Sequence, residues 1–202
     1  MTRREIFSDF LYEFKAPPEI TNLGINILRD VEWVPNVNNY RCYSEYFERD
    51  GAKDLKKWFN FCLESVRKDL NLTCENLEVC QVWGNKATNS QWHHAHKHQN
   101  SWASGILYLT ESNSCTWFSK QHMWQQNETL SLMQEETLTV LFKYPTSPGT
   151  LIIFPSNLLH SVDEHYGAIP RLTISFNSFP SGFITGRPET KNSATELNIK
   201  IL

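Results

Sequence analysis

Along residues 51–70, GAKDLKKWFNFCLESVRKDL, the apolar positions Leu55, Trp58, Phe59, Cys62, Val66 and Leu70 recur at offsets of three and four. This is the spacing of an amphipathic helix whose apolar stripe has to be covered. After it the period changes. NLEVCQVWG (76–84), ASGILYLT (103–110), CTWFS (115–119), LTVLFKYP (138–145), TLIIFP (150–155) and RLTISFNSF (171–179) read as strands, and ELNIKIL (196–202) supplies a last one. Residues 1–35, broken by Pro17, Pro18 and Pro35, read as an irregular or short-strand segment, and the Gln- and Glu-rich residues 120–136 as a polar surface excursion. A helix followed by six or so turn-bounded strands predicts a mainly β sandwich or barrel backed by helix. The expected organisation is a single domain, 1–202. Residues 1–76 form a helical and irregular support, and residues 77–202 form the β core.

Composition narrows the class of protein. The chain of 202 residues is 40% hydrophobic and 13% aromatic, which is the composition of a globular protein rather than a disordered one. Its formal charge is −3, and no Lys/Arg-rich run occurs beyond TRRE at the start, so general nucleic-acid binding is not expected. The five cysteines, Cys42, Cys62, Cys74, Cys80 and Cys115, are odd in number and form no CxxC pair. That pattern fits reduced thiols in a cytoplasm-like compartment. No apolar run approaches the ~18 residues of a membrane span. The segment MTRREIFSDFLYEFKAPPE is too charged for the apolar core of a signal peptide. A soluble, cytoplasmic protein without a membrane partner is the expectation.

The chemistry concentrates in QWHHAHKHQN (91–100). It holds His93, His94, His96 and His98, four of the chain's seven histidines. On an extended segment, strict alternation places His94, His96 and His98 on one face and His93 on the other. Imidazoles two residues apart can aim at one metal ion, and imidazole suits Fe, Zn, Cu or Ni. Both His94/His96 and His96/His98 satisfy that spacing. A third ligand is available in His160, which follows the apolar run TLIIF. Arg171 opens a strand with a buried pattern, and a buried guanidinium requires a carboxylate partner. No acid in the chain matches it by pattern, so a ligand carboxylate is the expected partner. The blander readings are an incidental metal-binding loop for the histidines and a surface role for Arg171. His122 and His165 read as polar-loop residues, and Trp102 and Tyr108 as core or rim aromatics.

HHAHKHQNSWASGILYLT, PGTLIIFPSNLLHSV and RLTISFNSF, taken in order, resemble the 2-oxoglutarate/Fe(II)-dependent oxygenases common in marine phages and bacteria. Trp83 and Asn85 upstream and Gly186…TEL downstream also fall at that family's spacing, so the likeness runs over residues 77–198. The resemblance implies a double-stranded β-helix (jelly roll, cupin-like) with supporting N-terminal helices. It implies Fe(II) held by His96, His98 and His160, the pair His96/His98 being favoured over His94/His96 because it aligns with QNSWASG. It further implies 2-oxoglutarate as cosubstrate, with Arg171 on its distal carboxylate and Tyr108 beside it. Asn100, Ser104 and Asn177 become neighbouring polar groups. Ser90 stands where the family often has Gly, and Gln99 where it often has Pro. His98 occupies the place of the acid in the usual two-His, one-carboxylate set. Three neutral imidazoles leave the site one unit more positive, which favours an anionic co-ligand. The implied reaction hydroxylates a small-molecule or peptide substrate and releases succinate and CO2. The motifs specify neither that substrate nor an oligomeric state. Two alternatives stay open: a cupin-like three-His dioxygenase that does not use 2-oxoglutarate, in which Arg171 has little purpose, and a non-catalytic jelly-roll metal-binding module with a closed coordination sphere.

Overall fold

The central strands are apolar on both faces because each face is covered by something different. The computed structural model describes residues 1–6, 9–121, 139–184 and 197–201. Within these residues, two antiparallel sheets face each other. With strands numbered along the chain, the larger sheet runs in the order β1 (Thr2–Ile6), β2 (Asp9–Lys15), β10 (Thr150–Pro155), β7 (Ala103–Tyr108), β12 (Arg171–Ile184), β5 (Cys74–Ala87), β4 (Asn39–Cys42), β3 (Val34–Asn36). The short β13 (Leu197–Ile199) pairs with the far end of β12. The smaller sheet is β6 (Gln91–His96), β11 (Leu159–His165), β8 (Cys115–Gln121), β9 (Thr139–Pro145).

Side-chain alternation divides the larger sheet into two faces. Leu107, Leu151, Ile153, Ile174 and Phe176 point outward and pack with the helices α1 (Pro18–Arg29) and α2 (Lys53–Asp69) in one core cluster. Ile106, Tyr108, Ile152 and Phe154 point inward and meet Phe118 and Tyr144 of the smaller sheet in a second cluster. On β12 the inward positions are the odd ones, Arg171, Thr173, Ser175 and Asn177; their cross-strand partners on β7 are Tyr108, Ile106 and Ser104 for the last three. The interior is therefore apolar at one end and polar at the other. This is the mainly β, helix-backed double-sheet architecture that the periodicity predicts.

The helix expected over 51–70 is α2, which buries Leu55, Phe59, Cys62, Leu63 and Val66. Residues 1–35 are more regular than the prolines suggest, for they supply two strands of the large sheet and the whole of α1. The Pro17–Pro18 pair starts that helix instead of interrupting structure, since proline is tolerated in a first turn. Its buried positions, Ile20, Gly24 and Leu28, keep a spacing of four. Nearly all of the 120–136 excursion, His122 and the segment from Gly186 to Glu196 lie outside the described residues. Among those described, no helix is long and apolar enough to cross a membrane.

Gly105 marks where β7 lies tight against a side chain of its neighbour β12. A Cβ there would collide with the ring of Phe176, which is fully buried and lies 4.7 Å from Phe59 of α2, centroid to centroid. Overfilling such a contact costs about 1–3 kcal/mol. Gly105→Ala is therefore expected to lower the urea midpoint at unchanged slope. A wild-type midpoint would mean that the ring moves aside freely.

Candidate metal centre

The antiparallel pairing of β6 with β11 puts His96 directly opposite His160. His98 lies just past the end of β6, where its backbone N–H donates to the Ser156 carbonyl at 2.9 Å. The ligating atoms of the three imidazoles all fall within 4.8 Å of one another. His94 is outside this group, and its buried Nδ1 has no hydrogen-bond partner. His93 does not follow strict alternation. Val162 pairs with His93 while His160 pairs with His96, so three steps on β6 match two on β11. Such a bulge reverses the facing of the residues beyond it. It brings His93 onto the His96 side, with the rings stacked at 4.4 Å and 23°.

Two backbone carbonyls set the tautomers. His96 Nδ1 donates to His94 O and His160 Nδ1 to Leu158 O, each at 2.9 Å. Each ring's Nε2 is then left as a lone pair, the state required of a ligand. His160 Nε2 lies 3.2 Å from His98 Nε2. Two nitrogens bound at ~2.1 Å to one ion stand roughly 3.0–3.4 Å apart at octahedral or tetrahedral angles. The donor set thus fits a divalent ion that favours imidazole. Phe154 and Phe118 pack around the His160 ring at 4.9 and 6.0 Å, and Trp83 flanks His98 at 5.4 Å. Burial is the main reason that all four imidazoles resist protonation. It pushes His98 down to about 4 and His93 to about 3, lowers His96, and holds His160 well below its ordinary value, with mutual repulsion adding to each.

The triad opens onto a cleft of about 370 Å³, counted to its open mouth, whose walls include Trp83, Asn85, His93, Ile106, Thr173, Ser175 and Arg171. Among the described residues, no aspartate or glutamate lines it. Arg171 is 5% exposed, its Nε has no hydrogen-bond partner, and no carboxylate among the described residues forms an ion pair with it. Burial lowers its proton affinity, while Tyr108 and Asp163 act weakly the other way. A guanidinium desolvated without an anion is costly. This cost points to an anionic guest. Asn85 Nδ2 donates to Ser175 Oγ at 3.0 Å and to Thr173 Oγ1 at 3.5 Å. Both hydroxyl protons therefore remain available to a ligand.

Of the other residues expected near the site, Tyr108 is fully buried close to the Arg171 charge, with its hydroxyl 2.7 Å from Thr116 Oγ1. Ser104 and Asn177 are not on the cleft wall but underneath it. Ser104 donates to Asn177 Oδ1 at 2.9 Å and lies 2.8 Å from Ser156 Oγ. Ser156 is the residue whose carbonyl receives His98 N–H, so this network holds the backbone at the third imidazole. Asn100 is exposed in a turn with φ +54° and does not reach the cleft. Sequence reasoning missed Thr173 and Ser175, although the i, i+2, i+4 alternation from Arg171 was present in RLTIS. It also missed the cleft position of His93, for which only the bulge is responsible.

A three-imidazole cluster and a buried guanidinium thus share one cleft in a double-sheet fold. The family model described as "Putative 2OG-Fe(II) oxygenase" matches residues 81–177, which include the three histidines and Arg171. The match spans the stretch of chain that builds this site, just under half of the whole. Solved structures agree in fold. The α-ketoglutarate-dependent epimerase SnoN of nogalamycin biosynthesis is 10% identical with a TM-score of 0.64, over 95% of this chain and 87% of that one. A Pseudomonas putida prolyl-4-hydroxylase is 12% identical with a TM-score of 0.59, over 85% and 93%. HygX of Streptomyces hygroscopicus, solved with nickel and 2-oxoglutarate, is 12% identical with a TM-score of 0.58, over 91% and 88%. No curated protein matches the sequence.

The lowered histidine values give a pH dependence. An unfolded histidine takes up its proton near pH 6.5, whereas the buried ones stay neutral to lower pH. Between those values the unfolded chain binds more protons, so stability is fully present above about pH 6.5 and is lost as pH falls toward the folded values. Thermal unfolding of the metal-free protein from pH 7.5 to 5 should show a falling midpoint. Replacing His98 and His160 with Gln should flatten that fall. An equally steep fall in the double variant would place the titrating groups elsewhere.

Proposed function

We propose that the protein is an Fe(II)- and 2-oxoglutarate-dependent oxygenase that hydroxylates a small-molecule or peptide substrate. His96, His98 and His160 would hold the metal, and Arg171 the distal carboxylate of the cosubstrate. The observation that carries this reading is that three convergent imidazoles and a buried guanidinium share one cleft in which, among the described residues, no acidic side chain pairs with that guanidinium or lines the wall. All five cysteines are free thiols, which supports a reducing, cytoplasmic setting. The formal charge of −3 speaks against nucleic acid as a general partner.

Bound together, metal and cosubstrate supply the oxidising chemistry, in which substrate C–H, 2-oxoglutarate and O2 become substrate C–OH, succinate and CO2. The chain's own residues bind and orient. The Leu158 and His94 carbonyls keep the Nδ1 protons of His160 and His96 in place, so that both Nε2 lone pairs face inward. The Ser104–Ser156–Asn177 network fixes the turn that carries His98. Arg171, helped by the Thr173 hydroxyl, neutralises and orients the far carboxylate. Trp83, Ile106 and Val162 line the cleft and limit water around the reacting groups. A three-His dioxygenase working without 2-oxoglutarate would leave Arg171 buried with no anion, which counts against that alternative.

An anaerobic titration with Fe(II) and then 2-oxoglutarate tests the assignment, followed through a visible metal-to-ligand charge-transfer band. The expected outcome is a band in wild type that disappears in His160→Ala. In Arg171→Ala the 2-oxoglutarate half-saturation should rise about 10- to 100-fold, the range for a lost hydrogen-bonded charge contact. No band, with tight Zn or Ni binding in its place, would move the protein to a non-catalytic metal-binding role.

A further inference from the structure

The cleft contains a fourth imidazole that the metal triad leaves unused. His93 belongs to β6 and reaches the cleft only because the bulge turns it to the side of His96. It is separate from the three-nitrogen cluster, and its stacking on His96 suits a ring that flanks a ligand. Among the described residues its nitrogens make no hydrogen bond. It lines the same cleft as the triad and Arg171, close enough to that guanidinium to sense its charge.

A five-carbon dicarboxylate that chelates at the triad and reaches Arg171 shares the cleft with His93. Its carboxylate lone pairs lose water on entering, and each one left unmatched is costly. A neutral imidazole offers one N–H donor, and among the described residues no carboxylate lines the cleft to take it, although the wall also holds the unpartnered acceptor Asn85 Oδ1. We propose that His93 donates a hydrogen bond to a carboxylate of bound 2-oxoglutarate. The cosubstrate is then gripped from the smaller sheet by His93 and from the larger one by Arg171. This inference rests on the oxygenase reading above, in which 2-oxoglutarate occupies the cleft.

The test compares wild type, His93→Phe and His93→Gln in the same anaerobic titration, with Fe(II) affinity measured separately without 2-oxoglutarate. Phe keeps a flat ring against His96 but has no donor; Gln restores an amide N–H. In His93→Phe the half-saturation for 2-oxoglutarate should rise about 10- to 100-fold while Fe(II) affinity stays within about threefold. His93→Gln should recover part of the loss. If the Phe ring prevents folding, His93→Ala serves as the variant without a donor. Unchanged 2-oxoglutarate binding in the donorless variant overturns the proposal. So does a parallel fall in Fe(II) affinity, which would make His93 a part of the metal site. If wild type itself shows no 2-oxoglutarate-dependent band, the oxygenase reading fails and this inference fails with it. A normal wild-type band with an indifferent His93→Phe removes the inference alone.

Discussion

The antiparallel ladder between β6 and β11 is the constraint on which the site depends. It sets His96 across from His160, although the two lie more than sixty residues apart in the chain. The Nδ1 bonds of both rings to carbonyls two residues before them then fix which nitrogen faces inward. Both rings are aimed by backbone groups within or directly beside the sheet, so little side-chain freedom remains to be lost when an ion binds. His98 is held less directly, through the Ser156 carbonyl and the hydroxyl network beneath it.

The larger sheet supplies the opposite wall, and its chemistry is complementary. Its inward positions on β12 change from the charged Arg171 through Thr173 and Ser175 to Asn177, while the neighbouring inward positions on β7 and β10 are mostly apolar. The resulting cleft is rich in donors and, among the described residues, has no acidic side chain. Such a lining is costly when empty, because a desolvated guanidinium has no counter-charge. It becomes favourable when a dianion enters. Replacing the usual carboxylate ligand with His98 strengthens the same bias, since the protein then brings no negative charge of its own to the metal.

The outer face of the large sheet explains why so small a domain can afford a polar interior at one end. α1 and α2 bury Ile20, Leu28, Leu55, Phe59, Leu63 and Val66 against Leu107, Leu151, Ile153, Ile174 and Phe176. Most of the apolar burial that stabilises the fold therefore lies on the side away from the site. The N-terminal third supplies the helices of this backing and, in β1 to β4, the edge strands of the sheet they cover.

Legibility in the sequence followed the range of the forces involved. The helix of residues 53–69 and most of the central strands could be read from their spacing, because burying one stripe or two faces imposes a local period. The metal-binding residue types were legible as well, for HxH and the distal His160 lie beside recognisable strands, and so was the oddity of an arginine opening a buried strand. α1 was obscured by its prolines, and β11 by its polar composition, LHSVDEH, which pairs at the edge of the cleft rather than in the core. The sequence alone determined the fold class and the inventory of imidazoles and guanidinium. Only the tertiary structure decided which histidines converge, that His93 turns inward, and that Arg171 forms no ion pair among the described residues. Those outcomes depend on cross-strand register, and a register with a bulge is set by pairing between distant segments, which no local periodicity encodes.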